Sequence, residues 1–526
     1  MSIDPFEIAK AALPKLKASL GGAKTFSSDM IWEHADQLVE SKRRPAVPKK
    51  LVKAGLIKET GKQIKSRSQA RAGSPTTEYR FVDDLEKANA ALNDIFKLQV
   101  DFLNDCKCVA ALNIETKDAA IVASLLSKQF SVITGLSGSG KTKLSQAFSQ
   151  WITIHSDNNS GNFNYIVIPV GADWTSNENI LGYPDGLNPK RYVSTRALEL
   201  ILRAREDEKQ PYFLILDEMN LSHVERYFAD ILSAIESEEP IPLYEGAMRY
   251  ASKEAEAGET ASMERPIPAQ LKLPKNLFIL GTVNVDETTY QFSPKVLDRA
   301  NVLEFRMTEK DMARFLESPG KPDLDELAGL GAEFGPAFVA AAQEKVVLED
   351  PMRTAFAAEM TRFFEVLKGH NAEFGYRTAH EAARFVHFFR VLGEHPEADL
   401  RAPDKEFDPA IGEFKAVDGR TWFDAAMDAV VIQKLLPKLH GSRSKLETLL
   451  IDLALLCAWD AATHAAKSAP AEDDKKKSGK SPGTLLAEFE GENKSGAKAR
   501  YPRSFEKLQR MLRKLRRDQF VSFSEA

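Results

Sequence analysis

Residues 130–142 read F-S-V-I-T-G-L-S-G-S-G-K-T. A short apolar, β-branched run passes into a glycine-rich turn ending in Lys141 and Thr142, and the K-L-S-Q-A-F-S-Q-W-I that follows has helical spacing. That order is what a phosphate-cradling loop requires. Gly135, Gly138 and Gly140 let backbone N–H groups wrap an anion, Lys141 reaches the outer phosphates, and Thr142 offers a hydroxyl to Mg2+ at a helix N-terminus. A chance glycine turn is the competing reading, and a strand and a helix on the correct sides argue against it.

Four further runs, Y-I-V-I-P, Y-F-L-I-L, L-F-I-L-G and V-L-E-F, alternate with helical segments between about residue 116 and residue 308. Their continuous apolar character predicts strands buried on both faces of a parallel sheet. Two of them end in unusual residues. Phe213–Asn220, F-L-I-L-D-E-M-N, closes in two carboxylates, which are costly at a sheet edge unless something there needs them. Asp217 would hold Mg2+ and Glu218 would polarise a water. A helix cap after a strand accounts for one acid better than for two. The run L-F-I-L-G-T-V-N ends in Asn284, whose amide can orient water without adding charge. Beyond it, Q-F-S-P-K-V-L-D-R-A brings Asp298 and Arg299 to the end of a short helix, where a surface salt bridge between the two is one reading.

At 526 residues the chain exceeds one core, and an apolar fraction of 43% with 28% charge is that of a soluble globular protein. No apolar run approaches the roughly 20 residues that span a bilayer, and the N-terminus lacks a secretory pattern, so a cytoplasmic location without membrane contact is expected. Cys106, Cys108 and Cys457 form neither an even framework nor a C-x-x-C pair and read as small core residues. Net charge is −5, yet residues 41–72 hold eleven Lys and Arg against the single acid Glu59. That one-signed block lies on a helix-plus-hairpin pattern and is expected to contact nucleic-acid phosphates, a solvated face being the bland alternative.

The order of phosphate loop, D-E strand, asparagine strand and D-R helix end resembles the AAA+ ATPases. The wording L-D-E-M-N-L-S-H-V-E-R-Y-F-A-D-I-L-S, G-T-V-N-V-D-E-T-T-Y-Q-F-S-P-K-V-L-D-R-A-N, F-G-Y-R-T-A-H-E and L-L-P-K-L-H-G-S-R resembles their McrB-type branch, over roughly residues 110–526. The resemblance implies a ring, commonly a hexamer, that hydrolyses nucleotide and drives a separate McrC-like nuclease subunit in restriction or phage defence. It implies Lys141 and Thr142 in the phosphate loop, Asp217 and Glu218 in the second motif, Asn284 as first sensor, Arg299 as a finger reaching the neighbour's nucleotide, and Arg377 as second sensor on a helical lid. McrB uses GTP and carries M-N-T-A-D-R-S where this chain has V-N-V-D-E-T-T, and ATP is favoured here over GTP.

The expected organisation is an α/β AAA+ sheet with a helical lid, preceded by a winged-helix-like domain. Its segments are 1–82, the expected DNA reader, a connecting helix 83–115, the α/β core 116–308, the lid 309–466, a tether 467–500 of Lys, Ser and Gly, and a C-terminal helix 501–526. Strands are expected to stop after Glu309. The loop Gly171–Tyr183 could line a pore or simply pack Trp174 into the body, and residues 241–274 read as a projecting hairpin of unknown role. Two other readings stay open: a MoxR-like protein-remodelling ATPase, and a DNA-binding regulator that uses nucleotide as a switch.

Overall fold

In a computed structural model of the chain, the described residues before position 82 are three strands and isolated positions. After it they are chiefly 95–110, 120–154, 163–252, 263–285, 290, 292–307, 309–317, 322–393, 406–408, 413–415, 422–458 and 499–525. The chain divides into two compact units, Met1–Asn93 and Asp94–Ala526. In the first, β1 (Thr25–Ser27), β2 (Ile57–Lys65) and β3 (Pro75–Phe81) form an antiparallel sheet in the order β1-β3-β2. The loop joining β2 to β3, with Arg67 and Arg71, lies outside the described residues, as does nearly all of the tether.

The second unit is built on five parallel strands: β4 (Phe130–Gly135), β5 (Tyr165–Pro169), β8 (Tyr212–Asp217), β11 (Leu277–Asn284) and β12 (Asn301–Glu304), in the order β12-β4-β11-β8-β5. These are the five runs read from the sequence. Successive side chains point to opposite faces, so Phe213 and Ile215 join one core while Leu214 and Leu216 join the other. Phe278 and Leu280 divide from Leu277 and Ile279 in the same way. With both faces covered, every residue of β4 and β11 is buried.

Two smaller strands, β6 (Tyr183–Pro184) and β7 (Arg191–Val193), form a hairpin. The segment read as an unassigned hairpin supplies β9 (Arg249–Ser252) and β10 (Met263–Ile267), and β9 pairs parallel to β7 in a second sheet, β10-β9-β7-β6. Trp174 is half-buried and meets the Tyr227 ring edge-on at 5.3 Å, so it packs into the body of this unit.

Helices α1 (Ala120–Ser127) and α2 (Lys141–Ile152) flank β4 in sequence, α3 (Arg196–Glu206) and α4 (Ala229–Ser237) precede and follow β8, and α5 (Pro294–Leu297) leads into β12. From residue 309 on come α6 (Glu309–Glu317), α7 (Gly335–Ala342), α8 (Met352–Gly369), α9 (Tyr376–Gly393), α10 (Trp422–Val430), α11 (Arg443–Ala458) and α12 (Pro502–Asp518). Contrary to the expectation from composition, strands do not stop after Glu309. Glu406–Asp408 pairs with Glu413–Lys415, and β13 (His440–Ser442) pairs with β14 (Phe520–Ser522), which follows the C-terminal helix. Such short strands leave no periodic trace, because a period of two needs several repeats to register.

Of the segment read as a connecting helix, positions 97–107 are helical among the described residues, and Ile95, Leu98, Phe102 and Cys106 are buried. Cys106 and Cys457 are buried core residues, and burial followed by the nearby Asp105 charge pushes the Cys106 thiol up to about 12. Among the described residues no helix is long and apolar enough to cross a membrane.

Candidate active site

The glycine-rich turn is a loop at the carboxyl edge of the sheet. Gly138 and Gly140 have φ of +71° and +100°, a region that side chains disfavour, and a Cβ on Gly135 would lie 2.3 Å from the Phe305 carbonyl oxygen. Only glycine lets β4 turn there beside the end of β12. Gly140 caps α2, whose buried face of Leu144, Phe148 and Trp151 recurs at helical spacing. Phe148 lies 5.8 Å from Phe213 and 5.6 Å from Phe338 between ring centroids, and Trp151 donates to Asp105 Oδ2 at 2.7 Å. Burial of two rings, each contributing roughly 1.5–3 kcal/mol, fixes the helix whose first residues are Lys141 and Thr142.

Strand order then brings the motifs together. β11 lies between β4 and β8, with Asn284 opposite Gly135 and Gly281 opposite Leu216. Asp217 Oδ1 accepts from Thr142 Oγ1 and from Thr282 Oγ1, both at 2.6 Å. Thr282 Oγ1 in turn accepts from the Glu218 backbone N–H at 3.0 Å, and the Asn284 amide donates to Glu218 Oε1 at 3.1 Å. Asn220 donates to the Asn284 carbonyl at 3.0 Å. Lys141 is buried and donates to the Gly135 and Leu136 carbonyls at 2.9 and 2.6 Å. Glu218 itself has φ +54°, a left-handed conformation for a side chain that gains nothing sterically from it. A non-glycine residue in this region costs about 1–3 kcal/mol and persists where its surroundings hold it, here the Thr282 hydroxyl on its N–H and the Asn284 amide on its carboxylate.

Residues 333–520 match a domain of unknown function (DUF8727). No curated protein matches the chain. The matched span starts just ahead of α7 and runs through α12 to the first residue of β14, so it includes Arg377 and excludes the glycine-rich loop, Asp217, Glu218, Asn284 and Arg299.

Among the described residues, two cavities open at the carboxyl edge. One of about 270 Å³ is lined by Asn220, Asn284, Tyr290 and His440, the other of about 320 Å³ by Gly135, Leu136, Ser139 and Arg306, and Ser524 and Glu525 border both. The chain's last turn is therefore part of the site's wall, which the sequence reading missed. It is anchored through α12. Glu304 at the end of β12 meets Lys507 at 2.8 Å and Arg510 at 3.0 Å, and Lys514 donates to the Glu525 carbonyl at 2.8 Å. Burial works against ionising Glu304, but the two cations outweigh it and hold its carboxyl below the usual range. Burial likewise lowers Lys507, to about 8.

Arg299 and Arg377 are elsewhere. Both pair with Glu236 at the end of α4, in a cavity of about 470 Å³ that also borders on Ser127, Gln129 and Lys275. Those residues precede β4 and β11, so the pair sits on the amino edge of the sheet. Six-residue β4, at about 3.3 Å per residue, separates it from the phosphate loop by about 20 Å. Arg377 thus joins Arg299 rather than its own chain's loop, and Asp298 pairs with Lys438 at 2.5 Å, not with Arg299.

Besides the last turn, Thr282 and Glu236 were missed by sequence reasoning. Thr282 could have been found, since it stands two positions before Asn284 on the same face of β11. Glu236 carries no local signal.

Proposed function

We propose that the chain is the motor subunit of a ring-forming AAA+ nucleotide hydrolase, with ATP favoured over GTP, acting on DNA together with a McrC-like nuclease in restriction or phage defence. The observation that carries this reading is the convergence of Thr142, Asp217, Thr282, Glu218 and Asn284 at the adjacent ends of β4, β8 and β11. Ligands of parallel sheets bind at that edge, and phosphate transfer needs these groups there.

In this reading the loop's N–H groups bind the phosphates, and Lys141 exchanges its two carbonyl partners for phosphate oxygens. Mg2+ would be held by Thr142 and Asp217. One hydroxyl and one carboxylate suit an ion that keeps several waters, and among the described residues no three His, Cys, Asp or Glu converge to make a cage. When bound, the ion supplies positive charge to the phosphates. Glu218 accepts the proton of the attacking water, with its Oε1 oriented by Asn284. Arg299 and Arg377, on the opposite edge, serve the phosphates of the next subunit.

The winged-helix-like assignment of residues 1–82 is supported by the antiparallel β1-β3-β2 sheet and by the one-signed charge of residues 41–72. The helices from residue 309 are proposed as the lid.

The test is hydrolysis of ATP and of GTP with Mg2+, with and without duplex DNA. Turnover of one nucleotide, lost in Lys141→Ala, is expected; absence of turnover under every condition overturns the hydrolase reading. Salt-sensitive duplex binding that disappears on removal of residues 1–82 separates the DNA motor from a protein-remodelling ATPase.

A further inference from the structure

The cations around the amino-edge cavity are unequally committed. Arg384 donates to the carbonyls of Leu126 at 2.9 Å, Ser127 at 3.2 Å and Ala342 at 2.7 Å, and so closes the ends of α1 and α7. Lys128 and Lys434 are buried on either side of Glu381 and both pair with it, while Lys434 also donates to the Ala300 carbonyl at 3.1 Å. These groups are structural. They fix α9 against the turn that follows Arg299, so that the positions of Arg299 and Arg377 are set by one rigid cluster.

The two arginines differ from them in kind. Their side chains are 28% and 45% exposed, they face solvent, and together they spend their charge on the single carboxylate of Glu236, one on each oxygen. Two guanidiniums on one carboxylate leave a net positive charge and unused N–H donors. A polyphosphate offers more oxygens and more negative charge to the same forks than a carboxylate can.

We propose that this edge is a polyphosphate-binding site closed by its own counter-anion: Glu236 occupies the place of the incoming phosphate, and binding requires that it be displaced. The inference rests on the ring reading for the identity of the ligand, which is then the neighbouring subunit's nucleotide. In that setting Glu236 keeps the arginine pair ordered but silent in an isolated subunit, and the phosphate of a loaded neighbour wins the competition. Hydrolysis is thereby tied to assembly.

The experiment uses the full chain with Lys141→Ala to disable the phosphate loop, and inorganic tripolyphosphate as the probe in titration calorimetry at fixed ionic strength. Adding Glu236→Gln should lower the tripolyphosphate Kd by about tenfold or more, the scale of one close charge contact near a protein surface. Further addition of Arg299→Ala and Arg377→Ala should abolish the gain. Glu236→Ala serves as the second variant should the amide form its own hydrogen bonds to the arginines. No gain in either variant, in chains whose circular dichroism matches the parent, overturns the proposal, as does a gain that survives loss of both arginines. An arginine-dependent gain in a chain whose parent hydrolyses neither ATP nor GTP would leave the anion site standing while removing the hydrolase reading. Hydrolysis without the gain would do the reverse.

Discussion

Thr282 performs two functions with one hydroxyl: it donates to Asp217 and accepts from the Glu218 backbone. It therefore fixes the carboxylate that would hold the metal and the backbone of the residue that would move the proton. Replacement by the near-isosteric valine leaves the fold of β11 intact but strips both bonds. The unpartnered Glu218 N–H costs about 1–3 kcal/mol. We expect Thr282→Val to lower turnover at saturating nucleotide well beyond its effect on nucleotide Kd, and Thr282→Ser to restore most of it; equal turnover in the valine variant would exclude the positioning role. The residues that flank it were legible. Asp217, Glu218 and Asn284 stand at the ends of apolar runs, where a polar group needs a reason, and Lys141 and Thr142 close a glycine-rich turn, whereas Thr282 lies inside an apolar run and reads as one more β-branched strand former. Glu236 was illegible for another cause. An exposed-looking acid at a helix end acquires meaning only when the fold brings two arginines to it, one from α9 and one from the turn after α5.

At the scale of elements, the five parallel strands were readable because burial on both faces writes apolar runs into the sequence, while β13 and β14 were not, being three residues each. The C-terminal helix α12 packs on α11 and α10 of the helical part, and its second anchor, on the sheet, has no trace in the sequence. Phe505, Leu508, Met511, Leu512 and Leu515 are buried, but its docking onto the sheet runs through Glu304, which holds buried Lys507 and half-buried Arg510. Removing one member of such a cluster strands the others. Glu304→Gln should cost about 3–5 kcal/mol, because a buried ammonium loses its counter-charge. Because the same helix carries Ser524 and Glu525 to the cavity rims, hydrogen exchange should rise together in α12, in β14 and at the phosphate loop. A rise confined to α12 would mean that the chain's end is not coupled to the site.

For the whole molecule, the core behind the sheet extends into the helices from α7 to α12, and what it buries sets the pH response. His387 on α9 is half-buried, its buried Nε2 has no hydrogen-bond partner among the described residues, and desolvation with the charges of Arg384 and Arg390 lowers its pKa from 6.5 to about 4. Its folded value is depressed, so its contribution is full above pH 6.5 and is lost as pH falls through about 4, where the unfolded chain has already taken up the proton. Urea denaturation should show stability falling across that window by up to about 1.4 kcal/mol per pH unit from this group, and His387→Gln should flatten the slope. The largest assembly prediction follows from the two edges of the sheet. Glu218 lies at the carboxyl edge and Arg299 at the amino edge, about 20 Å away by the length of β4, so in the proposed hydrolase one subunit could not bring both to a single phosphate. In the proposed ring they would meet across the interface. Glu218→Gln and Arg299→Ala should each abolish most turnover while leaving nucleotide binding intact, and mixing the two variants should restore part of it, since some interfaces then pair an intact Glu218 with an intact Arg299. Native mass spectrometry on the mixture establishes that mixed rings have formed. Mixed rings with no recovered turnover would show that Arg299 does not complete its neighbour's site.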